Sequence, residues 1–165
     1  MPPPNLPTED RRHLDAAEGW LGLGDWKSAD DELGQITPEM RSHPDVLRVR
    51  WEVYAKAKIW EGAAEVAKAF LERFPESSFG WLHTAYALHE LKHTSEAREV
   101  LLRVEDRFKD DWHVHYNLAC YEAQLGKAEE AIVRLKLAIG LNPRARGYAL
   151  EDRDLEPVRA QIGGI

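Results

Sequence analysis

The feature that most constrains the fold of this chain is a repeat with a period of 34 residues. An alanine recurs four times at this interval without any insertion, and apolar residues follow each copy four and seven positions later, which is one face of an amphipathic helix. A repeat of this length is typical of proteins whose units bury their apolar faces against their neighbours. The four alanines are Ala29, Ala63, Ala97 and Ala131.

Each repeat contains a second helix and a turn at fixed distances from its alanine. Twelve residues before the alanine the chain has Ala17, Trp51, Ala85 or Ala119, and a small residue there allows two helices to approach closely. Five residues before the alanine it has Gly24, Lys58, Lys92 or Gly126. Glycine suits the left-handed conformation in which many helices end. The two lysines depart from this pattern, so their turns are expected to cost about 1–2 kcal/mol or to take another geometry.

These positions resemble the tetratricopeptide repeat. The segment from Asn117 to Tyr121, followed by Gly126, Ala131, Ala138 and Pro143, fits that family's pattern best, and Tyr54, Trp60, Ala63, Phe70 and Pro75 fit it next best. The resemblance covers roughly residues 10–145. It implies an all-α, right-handed α-solenoid of four helical hairpins with a C-terminal solvating helix. The implied hairpins are 10–43, 44–77, 78–111 and 112–145.

Two flanking segments complete the predicted organisation. Residues 1–8 are proline-rich and are expected to form a disordered tail before the repeats, which occupy 9–145. Residues 146–165 are expected to cap the last repeat, with Asp154 as the N-cap and Pro157 in the first turn of the solvating helix. Its predicted buried residues are Leu150, Leu155, Val158 and Ile162.

Charge and composition restrict the partners. The chain has 22 Lys and Arg against 29 Asp and Glu, a net charge of −7, so its surface repels phosphate backbones and nucleic acid is not expected to bind. No apolar run approaches the roughly 20 residues of a membrane span, and no secretory signal is recognisable at the start. Cys120 is the only cysteine and cannot form an internal disulfide. We therefore expect a cytoplasmic protein without a cofactor.

The resemblance also implies a binding groove lined by the first helix of each hairpin. The first-helix side chains that do not pack within a hairpin are available to line this groove. They are charged in the N-terminal half and aromatic or apolar in the C-terminal half. We predict that Phe79, Leu82, Tyr86 and Tyr116 hold an apolar or helical segment of a partner protein, with Arg48 binding an acidic flank. Alternatively, these aromatics pack between repeats or lie under the chain's own C-terminal segment. The full predicted groove is Arg48, Glu52, Phe79, Leu82, Tyr86, His89, His113, Tyr116 and Cys120.

The predicted function is a non-enzymatic scaffold or adaptor for another protein or peptide. One class that the chain resembles is the bacterial kinesin-light-chain-like protein, whose partner is a tubulin-like filament. The alternative is a secretion chaperone that keeps an apolar client soluble. The clamp that some tetratricopeptide proteins use for chaperone C-termini is not expected, because Glu52 would repel the terminal carboxylate.

A zinc metallopeptidase is the remaining alternative, because His89-Glu90-Leu91-Lys92-His93 matches the H-E-x-x-H signature. That signature requires both histidines on one continuous helix and a third ligand. The repeat register instead predicts that His93 lies in the turn after the helix. His113 and Cys120 are two helical turns apart, about 10 Å, which is too far for a nucleophile and its base. No catalytic residue and no metal ligand is therefore predicted.

Overall fold

The computed structural model describes residues 2–165, and within that range it contains helices and turns but no β-strand. The prediction of an all-α chain is confirmed. The second helices of the hairpins begin at Trp26, Trp60, Thr94 and Ala128, which are 34 residues apart. The helices are α1 (Thr8–Gly22), α2 (Trp26–Gln35), α3 (Pro44–Ala57), α4 (Trp60–Arg73), α5 (Ser78–Glu90), α6 (Thr94–Leu102), α7 (Trp112–Gln124), α8 (Ala128–Leu141), α9 (Ala145–Glu151) and α10 (Arg159–Ile162), with 3-10 helices at Pro38–Met40 and Arg153–Val158.

The same turn closes all four hairpins. Gly24, Lys58, Lys92 and Gly126 have φ angles of 81°, 58°, 68° and 75°. In each turn the amide of the next residue donates to the carbonyl five residues earlier, as in His93 to Leu88 at 2.9 Å, which is the Schellman arrangement. The lysines therefore adopt the left-handed conformation of the glycines and do not take another geometry.

The described residues form two compact units, 2–80 and 81–165, whose boundary falls inside α5. In the first unit α1 packs on α2, and α3 packs on α2 and α4. Its core contains buried side chains from α1, α2 and α3, including Leu14, Leu33 and Val46. At the end of this unit Gly80 lies against α4, where a Cβ atom would stand 2.9 Å from the Cα of Leu71.

Part of the proline-rich segment is packed against the first unit. Leu6 is buried in its core, and the His43 ring lies 2.9 Å through Nε2 from the carbonyl oxygen of Pro4. Helix α1 already begins at Thr8. The expected disordered tail over residues 1–8 does not describe residues 4–8, because Leu6 buries an apolar side chain. Met1 lies outside the described residues.

In the second unit α7 packs on α6 and α8, and the C-terminal residues pack on α7 and α8. Leu155, Val158 and Ile162 are buried, as predicted for the cap. Leu150 is 45% exposed, so its predicted burial is wrong. It lies on α9, where Ala145 and Ala149 form the buried face.

The form of the cap also differs from the expectation of one solvating helix. It consists of α9, a 3-10 helix and the short α10. The N-cap of the 3-10 helix is Asp152, whose Oδ1 accepts a hydrogen bond from the Asp154 amide at 2.9 Å; the expected N-cap was Asp154. Pro157 lies inside this 3-10 helix.

A network of charges around one buried carboxylate links α6, α7 and α8. The Glu122 side chain is fully buried, and its carboxylate accepts from Arg98 Nε at 3.1 Å and lies 3.6 Å from Arg134 Nε. Arg134 also pairs with Glu105. Burial raises the pKa of Glu122, and the hydrogen bond from Arg98 opposes that shift. A carboxylate in this position is stable only while its cationic partners remain in place.

Candidate interaction sites on the first helices

The C-terminal part of the predicted groove is covered by the chain itself. We call residues 152–155 the strap, and it lies against α7 and the end of α5. The Tyr116 hydroxyl donates to Asp152 Oδ2 at 2.9 Å, and Gln124 Nε2 donates to the Asp154 carbonyl at 2.8 Å. His89 Nε2 lies 3.1 Å from Asp154 Oδ2. Three first-helix side chains thus bind a segment of the same chain.

The strap is anchored by buried apolar side chains on its C-terminal side. Leu155 and Ile162 are fully buried, and Val158 is nearly so. Burying a side chain of this size stabilises a fold by about 1.5–3 kcal/mol. Arg159 adds a hydrogen bond to the carbonyl of Asp152 at 3.0 Å. Displacing the strap would expose these groups, so it is a fixed part of the second unit.

The electrostatics beneath the strap keep its neighbours protonated. Burial raises the pKa of the Cys120 thiol well above its usual value, and the carboxylates of Asp152 and Asp154 raise it further. Burial likewise raises the pKa of Tyr116, and it raises that of Tyr86 to about 12 with a contribution from Glu90. A thiol with a raised pKa is a poor nucleophile, since only the thiolate attacks.

The H-E-x-x-H segment does not form the arrangement that a metallopeptidase requires. Helix α5 ends at Glu90, and His93 follows the left-handed Lys92 as the N-cap of α6. The prediction that His93 lies in the turn is confirmed. His93 Nδ1 lies 3.3 Å from Glu96 Oε1, whereas His89 Nε2 contacts Asp154 in the strap. The two imidazoles therefore do not lie on one continuous helix.

In the first unit, Arg48 packs on aromatic rings. Its guanidinium carbon lies 4.4 Å from the centre of the Phe79 ring and 5.0 Å from that of Phe70, and the two rings are 4.7 Å apart. Stacking of this kind is a cation–π interaction. Phe70 is buried, so Arg48 and Phe79 form part of the packing between α3, α4 and the start of α5.

Glu52 lies on the surface of α3 near another carboxylate. Partial desolvation raises its pKa, the charge of Glu18 on α1 raises it further, and Lys56 opposes the shift. Both glutamates are exposed. Nearby, Arg11 of α1 pairs with Asp45 of α3 at 3.2 Å, and both side chains are 45% exposed. We call the exposed carboxylates of Glu18 and Glu52 the acidic surface of this unit.

The other predicted groove residues lie in different environments. Leu82 is buried in the core of the second unit. Tyr86 is 37% exposed. The His113 ring bonds Asp111 Oδ1 at 2.8 Å, and its side chain is half exposed. The structure thus brings His89, Tyr116 and Cys120 together under the strap, and it brings Arg48 and Phe79 together in the first unit.

Sequence reasoning missed Asp152 as a site residue and interpreted Asp154 only as a helix cap. The sequence signal that could have identified Asp152 is its Asp-x-Asp spacing with Asp154, which directly follows α9 and precedes Pro157. Two carboxylates on such a short turn are well placed to accept hydrogen bonds from a neighbouring helix.

The described residues contain no helix that is long and apolar enough to cross a membrane.

Comparison with known proteins identifies the fold. The chain matches no family profile and no curated protein. Among solved structures it is similar to TTC0263, a thermophilic TPR protein of Thermus thermophilus, with 18% identity over 94% of this chain and 97% of that one and a TM-score of 0.73. It is also similar to MamA from Desulfovibrio magneticus, with 16% identity over 97% and 92% and a TM-score of 0.73, and to MamA from AMB-1, with 19% identity over 95% and 91% and a TM-score of 0.65. At these identities the likeness shows the fold alone.

Proposed function

We propose that this protein, which has a tetratricopeptide-like fold, is a non-enzymatic adaptor that binds a partner protein or peptide on the side chains of its first helices. The strap is the observation that supports this most. Helices α5 and α7 already bind a peptide segment there, with side-chain contacts to the carboxylates of Asp152 and Asp154 and to a backbone carbonyl. The same type of surface on other first helices is suited to a segment of another protein.

The acidic surface of the first unit is the position we assign to the partner. Desolvation raises the pKa of Glu52, and the charge of Glu18 raises it further, so a nearby cation would favour its ionised form. A lysine or arginine placed between these carboxylates would relieve the repulsion. We therefore propose that the partner presents a cationic segment, and that charge attraction sets much of its association rate.

The strap and the packing of Arg48 revise the roles of the predicted groove residues. Tyr116, Cys120 and His89 contact the strap, so an apolar segment of a partner would have to displace existing contacts there. The face of the Arg48 guanidinium is stacked on Phe79. The chemistry of the partner is therefore proposed to be cationic at the first unit, instead of apolar with an acidic flank.

A binding experiment with matched variants tests the proposal. The double variant Glu18→Gln/Glu52→Gln removes two carboxylates from the first helices, and the control Glu61→Gln/Glu65→Gln removes two exposed carboxylates from α4. A partner captured from native lysate by the wild type should be lost from the first variant and retained by the control. Its binding should also weaken as salt increases. Equal capture by both variants, or loss from both, would contradict binding at the first helices.

A bacterial tubulin-like filament is the specific partner that the resemblance implies. Co-sedimentation of the protein with polymerised bacterial tubulin tests it. The wild type and the α4 control should pellet with polymer, and the Glu18→Gln/Glu52→Gln variant should stay in the supernatant. Absence of the wild type from the pellet would exclude the filament while leaving other cationic segments to be identified in the capture experiment.

A further inference from the structure

Helix α8 exposes a row of large apolar side chains, which we call the α8 ridge. Its members Val133, Leu137 and Leu141 are 58%, 46% and 45% exposed. They are four residues apart, so they follow one another along one side of the helix. No other helix within residues 2–165 exposes three large apolar side chains. Single exposed apolar residues are ordinary, whereas a continuous row of them is typical of an interaction surface.

The other three repeats show that the repeat itself does not require apolar residues at these positions. The equivalent residues are also exposed, and all of them except one alanine are polar or charged. They are Asp31, Gln35 and Glu39 in the first repeat, Glu65, Ala69 and Arg73 in the second, and Glu99, Arg103 and Arg107 in the third. Only the last repeat has large apolar side chains there, so packing within a repeat does not account for them.

The contacts of α8 within the chain leave the ridge uncovered. The helix packs on α7 and on the C-terminal residues. Its buried side chains are Ala131, Leu135 and Ala138, which lie on a different side of the helix from the ridge. The ridge is therefore available to a second molecule without any rearrangement of the fold.

The two ends of α8 carry opposite charges. Glu129 and Glu130 lie in its first turn, and Arg144 and Arg146 come shortly after its last residue. All four residues are exposed. A surface that is acidic at one end, apolar in the middle and basic at the other end is complementary to a second copy of itself in the antiparallel orientation. The dipoles of two antiparallel helices also attract each other.

We propose that the α8 ridge is a self-association surface, on which a second copy of this chain packs its own α8 in the antiparallel orientation. The register that covers the whole ridge places Leu137 at the two-fold axis and Val133 against Leu141 of the second copy. The acidic end of each helix then lies beside the arginines that follow the other. Because the apolar area is small, the dimer is weak, with a dissociation constant on the order of 10–100 µM. The surface does not depend on the proposed adaptor function.

Sedimentation equilibrium of the untagged, reduced protein tests the self-association. The wild type should change from monomer to dimer as its concentration rises through the range of the dissociation constant. Val133→Glu/Leu137→Gln/Leu141→Arg introduces residue types that the other repeats carry at these exposed positions, so it should stay folded by circular dichroism and remain monomeric. The control Leu23→Gln removes an apolar side chain that is 79% exposed in the first unit, and it should dimerise like the wild type.

Two results would overturn the proposal. One is a wild type that remains monomeric up to several hundred micromolar, even if the ridge retains a different protein from lysate. The other is a triple variant that dimerises as strongly as the wild type.

Charge reversal and cross-linking test the orientation. Glu129→Arg and Arg144→Glu should each weaken the dimer about threefold or more, and combining them should restore it, because each acidic end again faces a basic one. Leu137→Cys should form a disulfide across the two-fold axis on oxidation. Ala69→Cys, at the equivalent exposed position of α4, should not, and the native Cys120 is buried. Failure of the double variant to restore the dimer, or equal cross-linking of both cysteine variants, would refute the antiparallel register.

Discussion

Replacing Lys92 with glycine is expected to stabilise the protein. Lys92 has a φ of 68°, where an L-residue is about 1–2 kcal/mol less favourable than in the right-handed region. Glycine has no such penalty but loses about 0.5–1 kcal/mol more backbone entropy on folding. The Lys92 side chain is exposed, so little packing is lost. The net gain in the free energy of unfolding should be about 0.5–1 kcal/mol, and Lys58→Gly should behave in the same way.

The opposite change at an equivalent turn should have the opposite sign. Gly24 has a φ of 81°, and a Cβ atom there would meet nothing within 4 Å, so Gly24→Ala isolates the backbone effect. It should lower the free energy of unfolding by about 1 kcal/mol. Gly19 lies inside α1 with equally open space, and Gly19→Ala should raise it by about 0.8–1 kcal/mol.

Urea denaturation followed by circular dichroism measures all four variants, with an unchanged dependence on urea as the check that the unfolding transition is the same. The two alanine substitutions share the same chemistry and the same open surroundings. If Gly24→Ala and Gly19→Ala change stability in the same direction, the argument from the left-handed turn is refuted. Destabilisation by Lys92→Gly would refute it as well.

Three further substitutions test other parts of the structure. Arg98→Met should lower the free energy of unfolding by about 3 kcal/mol in urea denaturation, because it leaves the fully buried carboxylate of Glu122 without the cation that donates to it. Gly80→Ala should lower it by about 1–3 kcal/mol, since the new Cβ would stand 2.9 Å from the Leu71 backbone. Glu52→Gln should stabilise the protein slightly at neutral pH and not at acidic pH. Because the carboxyl pKa of Glu52 is raised in the folded state, the free energy of unfolding falls as pH rises from the ordinary pKa of 4.5 through the raised one. Glutamine does not ionise, so the variant does not lose this stability.

The outcomes that contradict these expectations are distinct. Arg103→Met is the control for Arg98, because Arg103 is exposed directly after α6, and an equal effect of the two variants would show that burial of the ion pair is not the cause. An unchanged stability of Gly80→Ala would mean that α4 yields to the added methyl group. For Glu52→Gln, a stability difference that stays constant from pH 3 to pH 8 would exclude the titration of Glu52 as its origin.

The repeat and its turns could be predicted from the chain because they depend on local interactions. The hydrophobic spacing that recurs every 34 residues determines where each helix begins, and the residue two positions before each second helix takes the left-handed conformation whether it is glycine or lysine. The same register placed His93 outside α5. In each case the deciding hydrogen bonds join residues within one or two helical turns.

Whether the predicted groove is open or covered depends on contacts between distant parts of the chain. His89 and Asp154 are 65 residues apart, and Tyr116 and Asp152 are 36 apart. Helical spacing predicts which face of a helix remains exposed after its hairpin has packed. It does not predict which later segment of the chain covers that face. That outcome follows from the path of the last residues, which the burial of Leu155, Val158 and Ile162 directs across α7.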